Sequence, residues 1–274
     1  MTSDNNIQNQ ARIHDALRTI FAGYVPLKLR PDIYKLICIN SEIASIREKV
    51  SEAPQGLTRL QFWLVQLAHI HHNEPTQTPE AAWLADFVTQ QKISLDDLQK
   101  WILARQKEYE PLPIKDSQAW WKHAEDTGGL MAQFWLQLLD NKANDTQKNQ
   151  AKKVGAIWAS VGCLRAIAFH SYVRLTLLPK DMLYQQAIML PDGWRPTSKD
   201  DISPIVAELA QQSQTRLNDA KAYKLPKSLK LHLTATDILL KHLKTCDYNP
   251  FTDTWPNIPN KLYWQILVKG LIGS

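Results

Sequence analysis

The amino-acid sequence predicts an all-α protein, and three observations support this fold class. Apolar residues recur at three- and four-residue steps through most of the chain, as they do on one face of a helix. The 9 glycines are few, and the 15 prolines fall mostly between the periodic segments. Alternating β-branched runs joined by two-residue hairpin turns are missing. The 274 residues suit one large domain or two small ones and can bury a substantial core.

Helix boundaries follow from prolines and capping residues. The polar segment 1–10 is expected to be disordered, and Thr78, Ser94 and Asp116 are placed to cap helices. The apolar period then gives about ten helices with short connections, which we expect to pack as a single bundle-like domain. The predicted helices cover about residues 11–22, 32–52, 57–72, 79–91, 95–109, 117–138, 154–178, 203–221, 228–244 and 261–273.

The longest uninterrupted apolar pattern begins at Val154 and ends at Pro179. Gly155 and Gly162 lie inside this predicted helix, although each costs about 1 kcal/mol relative to alanine. Such small residues indicate that another helix or an elongated ligand approaches the backbone closely. The apolar stripe of this helix consists of Val154, Ile157, Trp158, Val161, Leu164 and Ala168.

The mild positive charge permits binding to anionic lipid or nucleic acid but does not require it. The net charge is +5, and residues 221–244 contain six lysines against one acidic residue, Asp237. Near the C-terminus, Tyr263 and Trp264 join an apolar run flanked by Lys261 and Lys269, a pattern typical of an interfacial helix or of a final helix docked on the bundle. The N-terminus has no apolar signal segment, and no run reaches the ~18 apolar residues of a membrane span. We expect a cytoplasmic protein without a nucleic-acid partner.

Metal-binding and nucleophilic patterns are weak. The three cysteines lack metal-type spacing and indicate a reducing compartment. His69 and His72 have no third ligand at a suitable spacing, so exposed histidines at a helix end are expected. The acidic pairs suit helix caps and solvated positions better than a metal site. These pairs are Asp96-Asp97, Glu125-Asp126 and Asp200-Asp201.

Four runs occur in one order between about residues 30 and 220. They are Arg59-Leu60-Gln61-Phe62-Trp63, the small-residue segment Ala124–Gly129, Cys163-Leu164-Arg165-Ala166 followed by His170 and Arg174, and Leu178-Pro179-Lys180-Asp181. Together they resemble the squalene/phytoene synthase family, and most closely its non-catalytic branch of complex I assembly factors. The resemblance implies the isoprenoid synthase fold, with residues 11–246 as the helical domain and 247–274 as a Pro-rich arm and amphipathic segment.

Active members of that family carry two aspartate-rich motifs that hold Mg²⁺ against a diphosphate leaving group. In this chain the first motif falls on residues 44–48, where Ala44 and Ser45 replace aspartates and Glu48 alone is acidic. The second motif supplies Ala166 and His170, and neither side chain is a good Mg²⁺ ligand. The resemblance therefore implies no catalytic residues, no metal and no cofactor.

The leading hypothesis is a catalytically degraded family member that acts as a binding or assembly factor in respiratory complex I biogenesis. Its expected partners are a complex I subunit or intermediate and an isoprenoid or anionic lipid, with peripheral contact at the inner face of the membrane. The alternatives are an active head-to-head prenyl transferase that uses Mg²⁺ and prenyl diphosphates, and a pure lipid carrier.

Two interpretations of the arginines near the second motif stay open at the level of sequence. One is a residual anion or groove site formed by Arg59, Arg165, His170 and Arg174. The other is that these side chains hydrogen-bond neighbouring helices and orient the bundle.

Overall fold

Fourteen α-helices account for most of the computed structural model, which describes residues 2–110, 114–191, 194–253 and 260–272. No strand occurs within those ranges, so the all-α prediction is confirmed. The helices are α1 (Thr2–His14), α2 (Ala16–Ala22), α3 (Arg30–Ala44), α4 (Ala53–His71), α5 (Pro79–Thr89), α6 (Leu95–Ala104), α7 (Ser117–Ala124), α8 (Leu130–Leu139), α9 (Asp145–Arg165), α10 (Ile167–Tyr172), α11 (Lys180–Gln185), α12 (Ser203–Ala220), α13 (Lys227–Thr245) and α14 (Asn260–Ile272).

Helix α9 lies at the centre of the bundle. It packs against α7 and α8 and against α12 and α13. Val154 and Val161 are fully buried, and Ile157 and Leu164 nearly so, which confirms these positions of the predicted apolar stripe. Ala168, the last predicted position, lies on α10 and is half-buried. The remaining helices surround this core, with α1 on α3, α4 on α6, and α14 on α13.

The two glycines of α9 serve different purposes. A Cβ atom at Gly155 would lie 2.2 Å from the carbonyl oxygen of Gly128 and 2.5 Å from the Ala132 Cβ, so two helices do meet there without side chains between them. A Cβ atom at Gly162 would meet no described atom within 4 Å. Gly155 therefore allows close helix packing, whereas Gly162 leaves space open.

Three predicted helix caps are confirmed. The Thr78 hydroxyl accepts from the Ala81 N–H, and the Ser94 hydroxyl accepts from the Asp97 N–H, each at 3.2 Å. The Asp116 carboxylate accepts from the Ala119 N–H at 2.8 Å. Each bond satisfies an amide that would otherwise lack an intrahelical partner at the helix start.

A π-helical turn, Glu125–Gly129, joins α7 to α8, where the sequence predicted one continuous helix. The carbonyl oxygen of Thr127 accepts from the indole N–H of Trp101 at 3.1 Å. The Thr127 hydroxyl donates to the His123 carbonyl oxygen at 2.7 Å. A π turn carries one extra residue and widens the helix locally, and its polar groups here are satisfied by neighbours.

The structure differs from the sequence prediction at the N-terminal end of the chain. Helix α1 begins at Thr2, within the segment expected to be disordered, and buries Ala11 completely against the core. The contact with the core stabilises α1, although the polar sequence of residues 1–10 gives no sign of a helix. At the other end α14 is present as predicted, whereas residues 254–259 of the Pro-rich arm lie outside the described part.

Two helices end earlier than predicted. Helix α3 ends at Ala44 and continues as a 3₁₀ turn, Arg47–Lys49. Helix α9 ends at Arg165; α10 follows, and the chain then reverses at Arg174, which has φ 56°. The four residues after Arg174 are all buried, and a continuously buried run suits an extended segment that crosses the core.

His232 on α13 is buried among aromatic rings at the centre of the protein. Its ring centroid lies 4.6 Å from that of Phe21 and 5.5 Å from those of Trp135 and Trp158. Its Nδ1 lies 3.2 Å from the Ser228 carbonyl oxygen, which fixes Nδ1 as the donor. Burial lowers the pKa of His232 from 6.5 to about 3, so the ring is neutral in the folded protein.

Acidification is expected to destabilise the fold through this residue. Below pH 6.5 the unfolded chain binds a proton at His232 that the folded chain does not bind until about pH 3, so the free energy of unfolding falls across this range. The loss is at most about 1.4 kcal/mol per pH unit. Urea unfolding between pH 7 and pH 4 should show a shallower pH slope in His232→Phe than in the wild type, and equal slopes would contradict the assignment.

Candidate functional site

A cavity of about 390 Å³ opens between the α1–α2 junction, the C-terminal end of α3 and the α9–α10 junction. Gly162 and Cys163 on α9 form part of its wall, so the space left by the missing side chain at Gly162 belongs to this cavity. The wall combines apolar and charged side chains, as in sites for amphiphilic ligands. The apolar residues include Leu17, Trp158, Ala159, Leu175, Leu177 and Leu239.

Both predicted motif positions lie at this cavity. Ala44 and Glu48 come from the first motif and Ala166 and His170 from the second, and all four line the wall. The fold thus brings together two segments that are far apart in the sequence, as the family resemblance implied. Ser45 does not line the cavity, and its hydroxyl donates to the Ser41 carbonyl oxygen at 2.6 Å.

Three carboxylates line the cavity, and two of them are ion-paired. Asp15 forms an ion pair with Arg18 at 2.7 Å, and Glu108 forms one with Arg105 at 2.8 Å. Glu48 is the third carboxylate and forms no ion pair within the described residues. Within the described residues no group of three His, Cys, Asp or Glu side chains is arranged to hold a metal ion. Mg²⁺ requires several oxygen ligands in a near-octahedral arrangement, so these residues do not fit the magnesium site of active family members.

Glu108 is a buried carboxylate at the cavity, and sequence reasoning missed it. Its carboxylate is 5% exposed and contacts Arg105 Nη1 at 2.8 Å and His123 Nε2 at 3.3 Å. Burial alone favours the neutral acid, but the positive charge of Arg105 and the hydrogen bond with His123 outweigh it and lower the pKa of Glu108 to about 2. Glu108 is therefore ionised at neutral pH.

Arg47 belongs to the degraded first motif, residues 44–48, and its side chain contacts two distant parts of the chain. Its Nη2 donates to the Arg174 carbonyl oxygen at 3.0 Å, and its guanidinium lies 5.7 Å from the centroid of the Tyr109 ring. The buried Nε atoms of Arg47 and Arg105 have no hydrogen-bond partner among the described residues. Buried donors of this kind usually indicate a water or ligand that completes them.

The candidate anion site divides into two groups. Arg165 and His170 line the cavity, whereas Arg59 and Arg174 are exposed and do not. Within the described part of the chain, neither the Arg165 nor the His170 side chain hydrogen-bonds a neighbouring helix. Burial lowers the pKa of His170 to about 4 and also lowers the pKa of Arg165 from its usual value.

Other residues weighed from the sequence do not contribute to the cavity chemistry. His72 is exposed at the end of α4, as expected, whereas His69 is half-buried and its Nδ1 lies 3.1 Å from the Pro75 carbonyl oxygen. Burial raises the pKa of Cys163 to about 12, which keeps this thiol protonated and unreactive. None of the three acidic pairs lines the cavity.

Comparisons of the sequence with known proteins agree on one family. The sequence profile named squalene/phytoene synthase matches residues 14–265. The chain is 26% identical over 241 residues to "NADH dehydrogenase (ubiquinone) complex I, assembly factor 6" of Bos taurus and 24% identical to the Homo sapiens protein. Each alignment covers 84% of this chain and 72% of the relative.

Solved structures show the same fold at low sequence identity. A squalene synthase from Alicyclobacillus acidocaldarius aligns with a TM-score of 0.74 at 15% identity, over 90% of this chain and 95% of its own. A dehydrosqualene synthase in complex with a ligand aligns with a TM-score of 0.79 at 11% identity, over 98% of this chain and 95% of its own. The sequence match over most of the chain and the shared helical fold lead to one conclusion: the chain belongs to the squalene/phytoene synthase family.

Proposed function

We propose that this protein is a catalytically degraded member of its family that works as a binding and assembly factor in respiratory complex I biogenesis. One observation carries the proposal. The two motif positions face one cavity, but they present Ala44, Glu48, Ala166 and His170, with Arg47 beside them. This cavity lies at the two motif positions, and Ala44, Ala166 and His170 offer no carboxylate to a metal ion there.

The replaced residues matter because prenyl transfer begins with the departure of diphosphate. Mg²⁺ neutralises that leaving group, and the protein must supply the carboxylates that hold the metal. Here Asp15 and Glu108 are ion-paired with arginines, so Glu48 is the one carboxylate of the cavity wall that could bind a metal ion. Partial burial and the charge of Glu108 raise the pKa of Glu48, which makes it a poorer ligand still.

The assembly role is supported by the curated relatives, which carry the name complex I assembly factor 6 and align over most of this chain. Deleting the gene in its host should lower the amount of assembled complex I and its NADH:quinone oxidoreductase activity, both restored by the intact gene. Unchanged complex I would remove this role. A second assay incubates the purified protein with farnesyl diphosphate and Mg²⁺, and release of diphosphate at an enzymatic rate would instead favour the active prenyl transferase.

We further propose that the protein contacts an anionic membrane through α14, at the inner face where complex I is assembled. Among the described residues, no helix combines the length and apolar character needed to cross a membrane. Leu262 and Ile266 face the core, whereas Trp264 is 70% and Val268 48% exposed. Exposed aromatic and aliphatic side chains with lysines on either side are typical of a helix that lies in a membrane interface. The lysines around this face are Lys241, Lys261 and Lys269.

Removing the exposed apolar side chains should weaken membrane binding. In sedimentation with phosphatidylcholine vesicles containing phosphatidylglycerol, we expect Trp264→Ser with Val268→Ser to bind about tenfold or more weakly, because the lost burial is worth roughly 2 kcal/mol or more. Met189→Ser is the matched control, since Met189 is 82% exposed but lies outside α14. Equal binding by the double variant and the wild type would contradict the proposed contact.

A further inference from the structure

A groove of about 600 Å³ runs between α13 and α14. It shares no lining residue with the cavity at the two motif positions. Helix α14 packs on α13, and its Leu262 and Ile266 side chains are fully buried. The groove is therefore a recess beside a packed helix pair, and its two walls are held in place by that contact.

The groove carries positive charge that the protein does not neutralise. Lys241 lines it from α13, and Lys261 and Lys269 line it from α14. Asp237 is the one acidic residue of the wall, and its carboxylate is already paired with Lys241. Lys261 and Lys269 are exposed and form no ion pair within the described residues. Two ammonium groups at one groove are thus available to an anion.

Exposed apolar side chains lie beside these charges. Trp264 and Val268 line the same groove, and they are 70% and 48% exposed. Trp264 lies between Lys261 and Lys269 along α14, and the eight-residue separation of the lysines corresponds to about 12 Å of helix. An indole ring and an aliphatic side chain between two ammonium groups match a ligand that is anionic at one end and apolar at the other. A phospholipid, with its phosphate next to its acyl chains, has this arrangement.

We propose that the groove between α13 and α14 binds the phosphate headgroup of an anionic phospholipid. The ammonium groups of Lys261 and Lys269 contact the phosphate, and Trp264 and Val268 contact the first segments of the acyl chains. Lysine offers three donors on a flexible stem, and lysines on a helix at a membrane surface attract anionic headgroups. A zwitterionic lipid would bring its own cation into the groove, so charge selects an anionic one. The inference rests on the proposed membrane contact of α14, because it names the lipid at that contact.

The test titrates the full chain by calorimetry with lipids that stay dissolved below their micelle concentrations. The probes are dihexanoylphosphatidylglycerol, dihexanoylphosphatidylcholine and glycerol phosphate. We expect the phosphatidylglycerol to saturate one site per chain and to bind about tenfold or more tightly than either other probe. Equal binding of the two lipids would exclude selection by charge, and equal binding of glycerol phosphate would assign the groove to a free phosphate. Either result, or no binding of the phosphatidylglycerol, would overturn the inference.

Matched lysine variants locate the site. Lys261→Gln with Lys269→Gln should weaken binding of dihexanoylphosphatidylglycerol by about tenfold or more. Lys142→Gln with Lys199→Gln removes the same charge from exposed positions outside the groove and should leave binding unchanged. Equal weakening by both pairs would show that net charge alone attracts the lipid, and no weakening by either pair would place the lipid elsewhere.

The headgroup site and the membrane contact fail separately. Vesicle binding that depends on Trp264 and Val268, together with no binding of dissolved phosphatidylglycerol, would remove the headgroup site and keep the contact. Absence of vesicle binding by the wild type would remove the contact and, with it, the lipid assigned to the groove. The comparison of the two dissolved lipids uses the wild type alone, so it does not depend on how any variant folds.

Discussion

Gly155→Ala is expected to destabilise the protein by about 2–4 kcal/mol, although alanine is the better helix former. The new methyl group would lie 2.2 Å from the Gly128 carbonyl oxygen and 2.5 Å from the Ala132 Cβ. Gly128 is part of the π turn and its oxygen is a backbone atom, so it cannot move without shifting α8 against α9. The gain in helix propensity, about 1 kcal/mol, is smaller than this cost of overpacking.

Gly162→Ala on the same helix is the control. Its methyl group would meet no described atom within 4 Å, so the expected change is a stabilisation of up to about 1 kcal/mol from helix propensity. Urea denaturation of both variants, followed by circular dichroism, measures the two free energies of unfolding. Equal effects of the two substitutions would show that close packing at Gly155 does not limit stability.

Glu108→Ala is expected to cost about 3–5 kcal/mol, the range seen when one partner of a buried ion pair is removed. Arg105 and His123 would keep their places in the cavity wall but lose the carboxylate that accepts from both. Glu110→Ala is the neighbouring control, because Glu110 is exposed and the expected change is within about 0.5 kcal/mol.

The pH dependence of Glu108 has a definite sign. Because its pKa is lowered from 4.5 to about 2, the folded protein holds the ionised form where the unfolded chain takes up a proton. The stabilisation by Glu108 is therefore complete above pH 4.5 and is lost as the pH falls toward 2. Unfolding of wild type and Glu108→Gln should converge in acid, and a difference that stays constant down to pH 2.5 would contradict the ion pair.

Local sequence signals predicted most of the fold because they act over a few residues. Thr78, Ser94 and Asp116 bond to amides three positions away, so their roles are visible in any short window. The close approach at Gly155 was also predictable, since a glycine inside an apolar helix needs a packing reason. Residues from both degraded motifs, Ala44, Glu48, Ala166 and His170, line one cavity.

The parts that were missed depend on contacts between distant segments. Glu108 and His123 belong to separate elements, and neither sits in a motif, so the sequence gives no sign that they meet. The end of α9 at Arg165 was not predicted, because apolar residues continue beyond it in the sequence. Some of these apolar residues are buried in an extended segment and not in a helix. The position of Arg47 could not be predicted for the same reason, since the end of α3 at Ala44 sets where that side chain lies.

The cavity wall has a consequence for how the protein matures. Asp15 and Arg18 come from the first two helices, whereas Arg165 and His170 emerge only after more than half of the chain has been synthesised. Contacts between such distant segments form late in folding. Because the cavity exists only in the folded state, a molecule that fits between these segments would stabilise the folded protein in proportion to its occupancy.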